Sequence, residues 1–117
     1  MGERPSLGEV IAERDMTFTR ADGVTEVVTV RIGKPVVGKS TDEWRCPYQI
    51  EGLGRLKTFA MSGVDSVQAL LLTLQVILPE LDHISQREGG TFSWLEDANA
   101  GFPDYRLSSS QKGQDEV

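Results

Sequence analysis

The chain has 117 residues, the size of one ordinary domain, and its 38% hydrophobic and 26% charged fractions are those of a folded globular protein rather than a disordered one. The net charge of −6 is unevenly placed: residues 1–60 hold equal numbers of basic and acidic groups, while 61–117 hold three basic against nine acidic. Such a surface repels a phosphate backbone, which excludes nucleic acid as the expected partner, and it favours a basic one.

In chain order, the first half reads as strands. Val10 to Arg20 alternates, with Val10, Ala12, Met16 and Phe18 on one face, Glu13, Asp15, Thr17 and Thr19 on the other, and Ile11 and Arg14 out of phase. Glu26 to Ile32 repeats the pattern with Val28, Val30 and Ile32 inward. Ala21-Asp22-Gly23 between them signals a hairpin. A two-residue loop sets Met16 against Thr29 and mixes the faces. A three-residue loop with Gly23 left-handed sets Met16 against Val28 and Ala12 against Ile32, and is preferred. After a long loop over 33–43, Trp44, Cys46, Tyr48 and Ile50 alternate with Arg45, Pro47, Gln49 and Glu51. Pro47 cannot donate to a ladder, so this strand is expected at an edge or bulged. Gly52-Leu53-Gly54 turns the chain into a fourth strand, Arg55 to Met61.

The period changes at Ser62-Gly63-Val64-Asp65, which has the spacing of a helix N-terminal cap. Val67, Leu70, Leu71, Leu74, Ile77, Leu78, Leu81 and Ile84 follow at helical spacing, widened by Ala69, Leu72 and Val76. Pro79 predicts a kink or break near 75–79. Gly89-Gly90 ends the helix, and Thr91 to Leu95 forms a short last strand with Phe92 and Trp94 on one face. The expected fold is therefore α+β: a four-stranded antiparallel meander, one long helix packed on it and a short C-terminal strand (ββββαβ). Residues 8–106 form one domain, with 1–7 and 107–117 as flexible termini.

Few motifs carry chemistry. Gly33 to Ser40 matches G-x-x-x-x-G-K-[ST] letter for letter, but a phosphate loop must open a helix, and here it leads into a strand. It reads as a plain loop. Cys46 and His83 are the single cysteine and histidine. Cys46 falls on an apolar face as an inert hydrophobe and His83 on the polar side of the helix, so no catalytic pair, metal site or cofactor is expected. One cysteine also excludes an intrachain disulfide and fits a cytoplasmic setting. Residues 1–6 lack the apolar core of a signal peptide. The longest apolar run, 69–78, is shorter than the ~18–20 residues of a membrane span, so no membrane is expected.

Two sets of residues are candidates for binding. Glu80, Asp82, Glu96, Asp97 and Asp104 could form an acidic patch for a basic partner. Trp44, Asp65, Gln68 and Trp94 could line a pocket between the helix start and the sheet.

Trp44-Arg-Cys-Pro-Tyr-Gln-Ile-Glu-Gly52, Gly63-Val-Asp-Ser-Val-Gln-Ala-Leu70, Trp94 and Gly101-Phe-Pro103 together resemble a family of small bacterial proteins known as a domain of unknown function. The resemblance runs from about Ile11 to Pro103, and Gly63–Leu70 is its most specific part. It implies a bacterial or phage source and a stand-alone domain, and it brings no activity or catalytic residue. Pro79 departs from the uninterrupted helix it implies. The expected function is a non-enzymatic protein-binding module, acting by self-association through a strand edge or by an acidic face in the manner of inhibitor and immunity proteins. The alternative is a small-ligand binder or minor enzyme using the pocket above.

Overall fold

The computed structural model describes residues 6–40, 42–97 and 99–104. The termini expected to be flexible lie largely outside that range.

The first hairpin forms as its loop chemistry dictates. β1 (Val10–Arg20) and β2 (Thr25–Gly33) are antiparallel, with Met16 opposite Val28 and Ala12 opposite Ile32. Arg20 N–H donates to the Val24 carbonyl and Gly23 N–H to that of Arg20, both at 2.8 Å, which closes the three-residue loop. Both out-of-phase residues of β1 have an explanation. A bulge between Val10 and Ala12 absorbs Ile11, and Val10, Ile11 and Ala12 are consequently exposed rather than buried. Arg14 is on the inner face and is used there.

β4 (Trp44–Gly52) and β5 (Arg55–Gly63) complete the meander, joined by Leu53-Gly54 with both φ angles positive (57° and 77°), a type I′ turn. The sheet order is β5-β4-β2-β1-β6, all antiparallel, with β6 (Gly90–Ser93) on β1. A two-residue strand absent from the sequence reading, β3 (Val36–Val37), prolongs the β2 side of β4 by pairing with Arg45 and Trp44.

That pairing corrects the expectation for Pro47. β4 is an interior strand, and its register with β5 runs unbroken through Pro47–Ala60. β2 pairs β4 only as far as Tyr48, and β3 resumes at Arg45. Pro47 thus sits where the neighbouring chain crosses from one short partner to the next and no ladder donor is required. The residues of the Gly33–Ser40 match accordingly form a strand end, a loop and β3, and open no helix.

α1 (Ser66–Glu88) lies across the inner face, packed on β4 and β5 along its length and reaching β6 as well. Its cap is Asp65, three residues after Ser62. Asp65 Oδ1 accepts from Gln68 N–H at 2.8 Å, and Gln68 Oε1 accepts from Val64 N–H at 2.7 Å, a reciprocal arrangement akin to a capping box. Pro79 does not end the helix, which continues to the left-handed cap at Gly89. The acceptor that loses its donor, the Gln75 carbonyl, belongs to an exposed residue where water can replace the bond.

Most of the predicted stripe faces the sheet, with Leu70, Leu74, Val76 and Ile84 half-buried against the core. The helix's buried seam is Ala69, Thr73, Ile77, Leu78 and Leu81, whereas Val67 and Leu71 are exposed. Gly63 fixes the roll: a Cβ there would stand 2.5 Å from the Ala69 backbone nitrogen, so glycine and alanine let strand and helix touch and bring this face down. Thr73, the one buried polar side chain among the described residues, shares its hydroxyl between the carbonyls of Ala69 (3.0 Å) and Cys46 (3.3 Å). α1 has the length and apolar composition of a membrane span, and here its seam is spent on the sheet. The core beneath it is Met16, Phe18, Val28, Val30, Ile32, Cys46, Tyr48 and Ile50.

Candidate functional site

The strongest cluster of functional side chains lies at the turn end of β4 and β5, beside the second half of α1. Opposed residues share a face, so the pairs Gly52/Arg55, Ile50/Lys57 and Tyr48/Phe59 turn Arg55 and Lys57 towards the helix along with Phe59. From α1, positions 80, 84 and 87 recur at helical spacing and present Glu80, Ile84 and Arg87 to them, with His83 alongside. Together they bound a cleft of about 170 Å³ with an apolar floor of Val28, Ile50, Leu53, Phe59 and Ile84. Its lining carries three basic side chains, Arg55, Lys57 and Arg87, against one acidic one, Glu80. Arg87 Nε donates to Glu88 at 3.1 Å, and that hydrogen bond, with the Arg87, Arg20 and Arg55 charges, lowers the carboxyl's pKa. Tyr48 stacks on Phe59 with ring centroids 5.1 Å apart, and burial, reinforced by the Glu80 charge, pushes its phenol up to about 12.

The acidic residues singled out in the sequence do not form one patch. Glu80 lines the cationic cleft, while Asp82 and Glu96 line a separate, open cleft between α1 and the segment after β6. Asp97 spends its Oδ1 on the Asn99 N–H at 2.8 Å, and Asp104 lies beyond Pro103 at the end of the described chain. Of the second set, three residues meet at the helix start: Trp44 is half-buried against the core opposite Gly63, which abuts Gln68, and Asp65 and Gln68 are occupied in capping the helix; Trp94 belongs to a different cluster.

That cluster centres on Arg14, which the sequence marked only as a break in phase. Its guanidinium lies 3.7 Å from the centroid of Trp94 and 5.0 Å from that of Phe102, and donates to the Ala100 carbonyl at 3.1 Å. Gly101 closes the clasp at φ 79°, where a Cβ would overlap both the Trp94 ring and the guanidinium. The arginine therefore ties the chain after β6 back onto β1. An arginine on an otherwise apolar strand face is the signal that could have found it.

Cys46 is fully buried, its thiol pointing to the Gly33 carbonyl at 3.5 Å and pushed up by desolvation; it is not a nucleophile poised for attack. His83 lines the cationic cleft and Cys46 does not. Among the described residues no three His, Cys, Asp or Glu side chains converge as a metal site would require.

The remaining feature is an edge. β5 pairs with β4 on one side only, over its whole nine-residue length. The pair that closes a type I′ turn exchanges its hydrogen bonds, so Leu56, Thr58, Ala60 and Ser62 direct their backbone N–H and C=O groups away from β4. Among the described residues no backbone group meets them.

A family model described as a domain of unknown function (DUF6968) matches residues 12–104. The chain belongs to the DUF6968 family. No curated protein and no solved structure matches it. The DUF6968 span runs from Ala12, just past the bulge of β1, to Asp104, so it takes in the cationic cleft, the Arg14 clasp and the open edge of β5 together.

Proposed function

We propose that this DUF6968 chain is a non-enzymatic protein-binding module that pairs with a second copy of itself through the open edge of β5. One observation carries the reading: a nine-residue edge strand, in unbroken register with its neighbour, has no charge, proline or bulge from Thr58 to Gly63. Those are the devices by which soluble proteins normally blunt an edge. A two-fold axis through Phe59 makes the edge self-complementary. The outward residues Thr58 and Ala60 then exchange hydrogen bonds with Ala60 and Thr58 of the other copy, and Leu56 with Ser62. Arg55 and Lys57 fall opposite uncharged Gly63 and Met61, so no like charges oppose. The net charge of −6 sets only a weak, salt-sensitive repulsion against the pairing.

A single strand pair buries less than the roughly 1,000 Å² of a stable interface, so association is expected in the range of tens of micromolar. Sedimentation velocity from ~1 to ~500 µM, a span that brackets that affinity, tests it. The parent chain shifts from monomer to dimer across that range, and Ala60→Pro, which deletes an outward N–H without touching the β4 ladder, stays monomeric. A parent chain that remains monomeric throughout contradicts the reading, as does an Ala60→Pro variant that dimerises equally well.

A further inference from the structure

The cationic cleft is not used by edge pairing, because Arg55 and Lys57 point towards α1 and not along the open edge. We infer that it binds a small organic anion, a carboxylate on a compact apolar body, with the carboxylate between Arg55 and Lys57 and the body on Leu53, Phe59 and Ile84. Three features point to this ligand class. First, a chain of net charge −6 gathers three basic side chains around one cavity with a single acidic one among them. Random placement in an acidic protein disfavours that, and the low-dielectric wall strengthens their field.

Second, the cations are only partly spent. Arg87 is held by Glu88, but no ion pair or hydrogen bond engages Lys57 among the described residues, and Arg55 feels Glu88 only through space. Third, the floor is apolar and pre-formed. Val28 and Ile50 are core residues, and the Tyr48–Phe59 stack fixes the inner wall. A hydrated inorganic ion gains nothing from such a floor, whereas an amphipathic anion satisfies both surfaces. The volume of about 170 Å³ is below the 300–1,000 Å³ of drug-sized sites, which limits the body to about one ring or one branched chain. Glu80 in the lining disfavours a second negative charge, so the ligand is a monoanion.

The test uses the full chain labelled for amide and methyl NMR, titrated with phenylacetate, isovalerate, phenylacetamide and inorganic phosphate. At least one of the two carboxylates is expected to bind with a Kd near or below ~1 mM and to shift Leu53, Phe59 and Ile84 signals selectively. Phenylacetamide, the neutral isostere, and phosphate are each expected to bind at least about tenfold more weakly than that carboxylate. Lys57→Gln and Arg55→Gln, both at partly solvent-facing positions and tolerable to the fold, should each weaken carboxylate binding by about five- to tenfold. Ala60→Pro should leave binding unchanged, which separates this site from dimerisation. If neither carboxylate shifts the cleft at ~10 mM, well above the expected Kd, the inference is wrong. Equal binding of phenylacetamide, or tighter binding of phosphate, overturns it as well.

Discussion

β6, with the part of β1 that it leaves uncovered, and β5 are the two edges of one sheet, and they are finished in different ways. β6 is four residues long and is followed at once by a tight turn, in which Trp94 and Asp97 exchange backbone hydrogen bonds at 2.8 and 3.2 Å. The chain after it is then fastened to β1 by the Arg14 guanidinium over Trp94 and Phe102. β5 is nine residues long, lacks a bulge and carries charge only at Arg55 and Lys57, with nothing fastened over its outer side among the described residues. Edge strands are a hazard that natural sequences blunt. β6 covers only Thr17–Arg20 of β1, and the rest of that side, Val10–Met16, carries a bulge and the charges of Glu13, Arg14 and Asp15, whereas β5 from Thr58 to Gly63 carries neither; the proposed pairing rests on that contrast.

The largest expected effect falls on the closed edge. Gly101→Ala places a Cβ into the Trp94 ring at a positive φ and should cost about 3 kcal/mol in urea unfolding, with self-association intact wherever the variant is folded. Loss of association along with stability would mean that the two edges are coupled and the contrast between them is false.

Alkaline pH should act on the β5 side next. The Tyr48 phenol, stacked on Phe59 of β5, has a folded-state pKa near 12 against 10 in the unfolded chain. Folding therefore favours the protonated phenol: its contribution is complete below pH 10 and is lost as the pH rises towards 12. The loss amounts to about 2–3 kcal/mol. Tyr48→Phe should remove that part of the decline, as read from unfolding curves at stepped pH. An unchanged slope would show that the phenol is not the group responsible.

Arg14→Met keeps the apolar stem and deletes the cation. It should cost about 1–2 kcal/mol and shift the Trp94 emission, without changing the sedimentation of the dimer. Smallest of all is the effect of Ala60→Pro on the monomer. With its N–H unpaired and on the outer side, the change should stay within about 1 kcal/mol of the parent while abolishing association. A cost of several kcal/mol would place that N–H in a bond within the chain.

The meander and its register are legible because each depends on local chemistry: a three-residue loop ending in Gly23, and the rule that opposed residues share a face. The same rule, extended to Arg55, Lys57, Phe59 and Met61, would have put two cations on the inner side of β5, so half of the cleft was legible. The other half was not, because which helical side chains meet them depends on the roll of α1. That roll is set by the contact of Gly63 with Ala69, a matter of packing that periodicity does not encode. Pro47 misled for a related reason. It sits in a strand that β2 and β5 make interior, at the gap between the ends of β2 and β3, and β3 is two residues that pair only with Trp44 and Arg45. Arg14 stood out in the sequence as a misfit, but its partners lie some eighty residues away. The sequence named acidic residues as a patch because they are close along the chain, whereas α1 turns Glu80 and Asp82 to different clefts.

Amide hydrogen exchange of β5 at low and high protein concentration reaches the central claim directly. If two copies pair along this edge, the N–H groups of Leu56, Thr58, Ala60 and Ser62 exchange freely in dilute solution and become protected as the dimer fills. Those of Lys57, Phe59 and Met61, already bonded to β4, stay protected throughout. Outward amides that exchange at the same rate at every concentration, in a chain that nonetheless dimerises, would place the interface elsewhere and contradict the account.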